Sequence, residues 1–169
     1  VALSGPGSAG FFHTDPNRPF YLIRSGLTDN PGSPETVAVI HMPPLTQVGQ
    51  QTLDSAVFEI NAVVTAVATS TVDYVVNRQK LTVVVFHNKD DTITATLSTA
   101  DAVSHTSGGG AAWNAAPVWN VAVVGTTVEI RMTSDPQGGN FTNGIGAALT
   151  GNMMPTGSST FPRPRISVN

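Results

Sequence analysis

The segment from Trp113 to Thr133, WNAAPVWNVAVVGTTVEIRMT, constrains this chain more than any other. Val121 and Val123 alternate with Ala122 before Gly125-Thr126, and Val128, Ile130 and Met132 alternate with Glu129 and Arg131 after it. A period of two on both sides of a tight turn is the signature of two half-buried strands. Gly125 at the first central position of a two-residue loop suits a type II′ hairpin turn.

The same rhythm recurs upstream. Thr36 to His41 reads as a first strand, stopped by Pro43-Pro44, which cannot continue a ladder. From Leu53 to Val67, Phe58, Ile60, Ala62 and Val64 share one parity, and Glu59 and Asn61 the other. Frequent alanines make a helix the competing reading there, but the density of β-branched residues in AVVTAVATSTV favours a strand. Val72, Tyr74 and Val76 continue the alternation, whereas Leu81, Val83 and Val85 have the opposite parity, so a turn or bulge is expected over Asn77 to Lys80. Leu81 to Phe86 and Thr92 to Leu97 form a second hairpin around the polar turn His87 to Asp91, with Ile93, Ala95 and Leu97 inward. Ser98 to Gly110 reads as a loop.

Both ends lack this periodicity. Residues 1–35 hold Pro6, Pro16, Pro19, Pro31 and Pro34 and read as an extended N-terminal arm. Its anchors, on its own domain or on a neighbour, are Phe11, Phe12, Phe20, Tyr21, Leu22 and Ile23. Residues 134–169 read as an irregular C-terminal extension with a possible short final strand over Arg165 to Val168, and with Phe141, Ile145, Leu149, Met153, Met154 and Phe161 as candidate contacts. The expectation is therefore an all-β chain: one antiparallel β-sandwich or jelly roll of about eight strands over residues 36–133, flanked by Pro/Gly-rich arms.

Composition bears on partners. Charged residues make up 11% of the chain, against roughly 25% in ordinary soluble domains, and Lys80 and Lys89 are its two lysines. Free-standing β proteins guard sheet edges with charge, lysine above all, so neighbouring chains are expected to cover several edges here. A net charge of −3 argues against a nucleic-acid or anionic-membrane partner. No apolar run reaches the roughly 18 residues of a membrane-spanning helix. The N-terminus does not read as a signal peptide, and the missing initial Met suggests a trimmed or partial chain. Zero cysteines exclude disulfides and thiolate chemistry.

No motif carries chemistry. His13, His41, His87 and His105 lack metal-ligand spacing and read as surface or capping residues. Asp90-Asp91 with Asp73, Asp101 or Asp135 has no recognisable calcium spacing, and paired aspartates commonly serve a turn. Glu59 and Glu129 fall on outward strand positions, where ion pairing or solvent contact outweighs a glycosidase role. Gly108-Gly109-Gly110 is followed by neither Lys-Ser/Thr nor a helix start, so it is no phosphate loop. No serine sits in a nucleophile elbow. Trp119 reads as core or strand-end packing, and Trp113 as the more exposed ring, available for stacking on a sugar. Neither cofactor nor catalytic residue is expected.

Over residues 35–135, the opening strand Glu35 to His41, the long alternating Leu53 to Val67, the pair VDYVVNRQKLTVVVFHNKDDTITATLS and the ending AAWNAAPVWNVAVVGTTVEIRMT together resemble the small jelly-roll structural proteins of tailed-bacteriophage virions. These include capsid cement or decoration proteins and modules of tail fibres. The resemblance implies a non-enzymatic protein, trimeric or otherwise clustered, on the outside of a phage capsid, with the major capsid protein and its own copies as partners. The rival reading is a carbohydrate-binding module of a tail fibre or of a larger enzyme, using Trp113 with loop Asn and Asp side chains.

Overall fold

Alternation resolves into two antiparallel sheets packed face to face. The computed structural model describes residues 8–10, 19–29, 33–42, 54–68, 73–88, 90–106, 112–137, 141, 144–155 and 164–169. They form ten strands and no helix: β1 (Ser8–Gly10), β2 (Phe20–Leu27), β3 (Glu35–His41), β4 (Asp54–Val67), β5 (Tyr74–His87), β6 (Ile93–Thr106), β7 (Ala112–Val124), β8 (Thr127–Gln137), β9 (Ile145–Pro155) and β10 (Arg165–Val168). One sheet has the order β1-β2-β9-β4-β5-β6 and the other β10-β3-β8-β7. The chain closes on itself, because β2 pairs with β9 and β3 with β8, joining residues near both ends.

Inward parity is strict at the centre. Phe58, Ile60, Ala62 and Val64 of β4, Leu81, Val83 and Val85 of β5, and Val128, Ile130 and Met132 of β8 are all buried in one apolar cluster. Phe20 and Phe58 meet edge to face with ring centroids 6.4 Å apart, a favoured aromatic geometry. The β7–β8 hairpin is as read from the sequence. Gly125 has φ +58 and Thr126 is not in the left-handed region, which fits the type II′ turn.

Several expectations need correction. Within the N-terminal range read as an arm, Phe20–Leu27 is a strand: Phe20, Leu22 and Leu27 are buried and Tyr21 points out. Within the supposed C-terminal extension, Ile145–Pro155 is a central strand between β2 and β4. Its sequence, IGAALTGNMMP, is poor in β-branched residues, so propensity hides it. Its small residues have a purpose, since a Cβ on Gly151 would collide with the Glu59 backbone carbonyl on β4. Arg165–Val168 does form the short final strand.

Two further readings shift by one strand. Asn77 to Lys80 is neither turn nor bulge but the middle of a continuous β5, with Asn77 and Gln79 inward. The irregularity lies opposite, in β6, where Arg78 pairs with Val103 and Lys80 with Ala100, leaving an extra residue on β6, and Asp101 takes φ +54. β6 also runs on to Thr106, through most of what reads as a loop. The glycines 108–110 lie outside the described residues.

Candidate functional site

Along one side of the sandwich the edge strands β6 and β7 run beside each other without a shared ladder, and among the described residues this side is open in that sense. In β6, Ile93, Ala95 and Leu97 are half-buried and every residue from Ser98 to Thr106 is exposed. In β7, Pro117 and Trp119 are buried, while Val118, Val123 and Val124 are 59%, 43% and 46% exposed. Between Asp101 and Glu129 the sequence contains no Asp, Glu, Lys or Arg.

Two polar side chains hold this side in place. Gln79 Nε2 donates to the Pro117 carbonyl at 2.7 Å and to Asn77 Oδ1 at 2.9 Å, and Asn77 Nδ2 donates to Ser104 Oγ at 2.9 Å. The chain of bonds joins β6 to β5 and, across the core, to β7. Pro117 has no N–H to give a ladder, and pairing with β8 slips twice around it, between Trp113 and Ala115 and between Ala115 and Val118. From Val118 to Val124 the register with β8 is unbroken. A shallow depression of about 300 Å³, lined by Ala115, Ala116, Val118, Thr133, Ser134 and Asp135, marks the slip.

The residues singled out from sequence scatter. Phe20 and Phe141 are 3% and 1% exposed and serve the core, so they have no surface to offer a partner. Tyr21 is half exposed on the outer face of the larger sheet. Trp113 is half-buried rather than open, packed against the core cluster, and Trp119 is buried. Both indole N–H groups are buried with no hydrogen-bond partner among the described residues. Phe11, Phe12 and Phe161 lie outside the described residues, as does His13.

The titratable groups have local partners. His87, expected in a loop, ends β5 with its ring buried, 2.6 Å from Asp91 across the turn. Asp90 accepts from the Thr92 backbone N–H and hydroxyl, which lowers its pKa. Exposed Lys80 and Asp101 pair at 2.7 Å. His105, also expected in a loop, is an exposed residue of β6. His41 shares a 3.0 Å hydrogen bond with Ser167, and burial together with nearby Arg165 lowers its pKa. Glu129 accepts from Arg131 and from the Thr36 hydroxyl, and these bonds hold its pKa below the usual carboxylate range. Among the described residues, no three of His, Asp or Glu converge as a metal site would require.

No protein-family profile matches this sequence, and no curated protein matches it. Among solved structures, the fold is similar to part of the tailspike protein of Acinetobacter baumannii phage AM24, with a TM-score of 0.47 and 16% identity. The match covers 89% of this chain and 28% of that one.

Proposed function

We propose that this chain is a non-enzymatic structural module of a bacteriophage virion, a cement or decoration protein that sits on the capsid exterior and ties neighbouring subunits together. The observation that carries the reading is the contrast within one molecule between a closely packed core and a long, nearly uncharged open side at β6 and β7. An isolated β-sandwich with such edges is exposed to unwanted strand addition, whereas a protein that works in a lattice has those surfaces covered. The partners on this reading are the major capsid protein and further copies of the chain. The action is mechanical: contacts that form in the assembled shell stabilise it by linkage, without turnover, and lattice repetition multiplies a weak contact through avidity.

A second reading, a glycan-binding module of a tail fibre, has one observation behind it. On the outer face of the larger sheet, exposed Tyr21 lies in register with Thr150, Asn61 and Lys80, an aromatic ring beside a polar strip. Trp113 fits that role less well, being half-buried. Imaging of purified particles, with crosslinking to identify the neighbour, separates the two. Copies seated at capsomer junctions support the cement reading. Copies at a tail tip, with glycan binding lost in Tyr21→Ala, overturn it.

A further inference from the structure

We propose that the second half of β7, Val118 to Val124, is a homotypic edge that pairs antiparallel with the same segment of a second copy about a two-fold axis at Val121. The inference rests on strand geometry and holds wherever the protein resides.

The four sheet edges are not alike. β1 and β10 are three and four residues long, too short to template much pairing. β6 is interrupted by the Asp101 bulge and carries the Lys80–Asp101 pair beside it. The first half of β7 is broken by Pro117 and its two slips. Val118 to Val124, VWNVAVV, has no charge, proline, glycine or bulge, and its register with β8 is continuous. β7 is the last strand of its sheet, and no strand among the described residues pairs with its outer edge. Every protective device found on the other edges is missing from this one.

What fits the edge is the edge itself. In a two-residue hairpin the pair flanking the turn is hydrogen-bonded and pairs then alternate. Counting back from Val124 and Thr127, the backbone groups of Trp119, Val121 and Val123 point away from β8, towards an incoming strand. A two-fold axis at Val121 sets Trp119 opposite Val123 of the second copy and Val121 opposite itself, so these outward groups meet in phase and form about six new hydrogen bonds.

The side chains agree with that register. On the outer face, Val118 falls opposite Val124 of the second copy, so two of the most exposed valines cover each other. With the β8 neighbours included, that row reads Thr133, Val118, then Val124 and Thr127 of the second copy. The next outer row reads Arg131, Asn120, then Ala122 and Glu129 of the second copy, with opposite charges at its two ends. On the inner face, Ile130 and Val121 meet Val121 and Ile130, extending the apolar layer across the axis. No row brings like charges together, although the chain as a whole carries −3.

The test uses the full chain in solution, without any virion, so failure of the pairing and failure of the virion reading are separate results. The chain has no cysteine. In the proposed register, positions 118 and 124 of two copies face each other as a non-hydrogen-bonded pair, about 4.5 Å apart at Cα and within disulfide reach. The double variant V118C/V124C is expected to give a covalent dimer under mild oxidation. V118C or V124C alone is expected to stay monomeric on a non-reducing gel, because identical positions lie about 20 Å apart across the axis.

In sedimentation runs over a range of concentrations, the wild type is expected to show a concentration-dependent doubling of mass. V118K is expected to weaken association about tenfold, and V118K/V124E to restore it through a Lys–Glu pair across the axis. Both positions are exposed, and matching thermal melts of the variants show that the fold survives. The proposal is overturned if the wild type stays a monomer throughout, if V118K leaves its mass unchanged, or if single and double cysteine variants crosslink alike. A monomer whose binding to particles is lost in V118K also overturns it, and gives the edge to a strand of the shell.

Discussion

The two sides of this sandwich are built by different rules. Where β2, β9 and β4 meet β3 and β8, the inward positions are mostly apolar and nearly sealed, Ser134 of β8 being a buried polar exception, and Gly151 is present because the backbones approach too closely for a side chain. At β6 and β7 the strands are as long, yet residues are exposed on both faces, and the inward positions of β5 facing them are the amides Asn77 and Gln79. A closed side gains stability from burial. The β6–β7 side is held by a few directed bonds, and its two edges share no ladder with each other. The lesson is that strand length and β-propensity say little about which edge a protein leaves free; the guards against pairing say more.

Substitutions can break that contrast, beginning on the closed side. Phe58→Ala removes the ring at the centre of the cluster and its contact with Phe20, and is expected to cost about 3–5 kcal/mol in denaturant unfolding. Gly151→Val should cost a similar amount, about 3 kcal/mol or more, because β9 must move off β4 to admit the side chain. A loss below about 1 kcal/mol for either would show that the centre relaxes freely and that the two sides differ less than the packing implies.

Gln79→Leu tests the joint between the sides. It leaves the Pro117 carbonyl and Asn77 Oδ1 without their donor, with an expected cost of about 1–3 kcal/mol. Hydrogen exchange should rise in β7 before it rises in β4. Uniform exchange through both strands would mean that the amide bridge does not secure the open side.

Acid probes the smaller sheet, where both shifted groups are partnered from neighbouring strands. Burial and Arg165 favour the neutral His41 ring in the folded chain, so the unfolded chain binds that proton more tightly. This contribution is complete above the ordinary value of 6.5 and is lost as pH falls through it towards the lower folded pKa. Glu129, also depressed, adds a second loss at lower pH, as its carboxylate gives up Arg131 and Thr36. His41→Gln should flatten the first part of the stability profile, and Glu129→Gln the second, each by about 1 kcal/mol or less. A profile unchanged by both would sink the assignment.

Smallest of all should be Val118→Lys on the stability of the single chain, within about 0.5 kcal/mol, since that side chain is already 59% exposed. A large loss there would mean that Val118 belongs to the core and that the open side is not open.

Much of the fold was legible from period two alone. β3, β4 and the β7–β8 hairpin are where alternation and the Gly125 turn put them, and the all-β sandwich follows from their number and spacing. β2 was half legible, because Phe20, Leu22 and Tyr21 alternate but sit among prolines that suggest an arm. β9 was not legible, because glycine, alanine and methionine carry no strand signal until the neighbour that needs their smallness is known. The chain's few charges pointed to thinly guarded edges without saying which strands carry them, and the residues singled out for contact were large aromatics, of which Phe20 and Phe141 are core. The exposed residues that matter there are valines, and valine in a strand gives no sign of which way its backbone edge faces.

Local chemistry in the sequence determined which stretches extend, where the tight hairpin turns and which face of each strand is apolar, because side-chain period and turn geometry act over a few residues. Tertiary structure decided that residues near both ends close the larger sheet together, that Asn77 and Gln79 point inward, and that Val118 to Val124 ends its sheet unguarded. Those outcomes depend on which strands become neighbours, a relation between residues far apart in the chain, more than a hundred positions for β2 and β9, that no local pattern encodes.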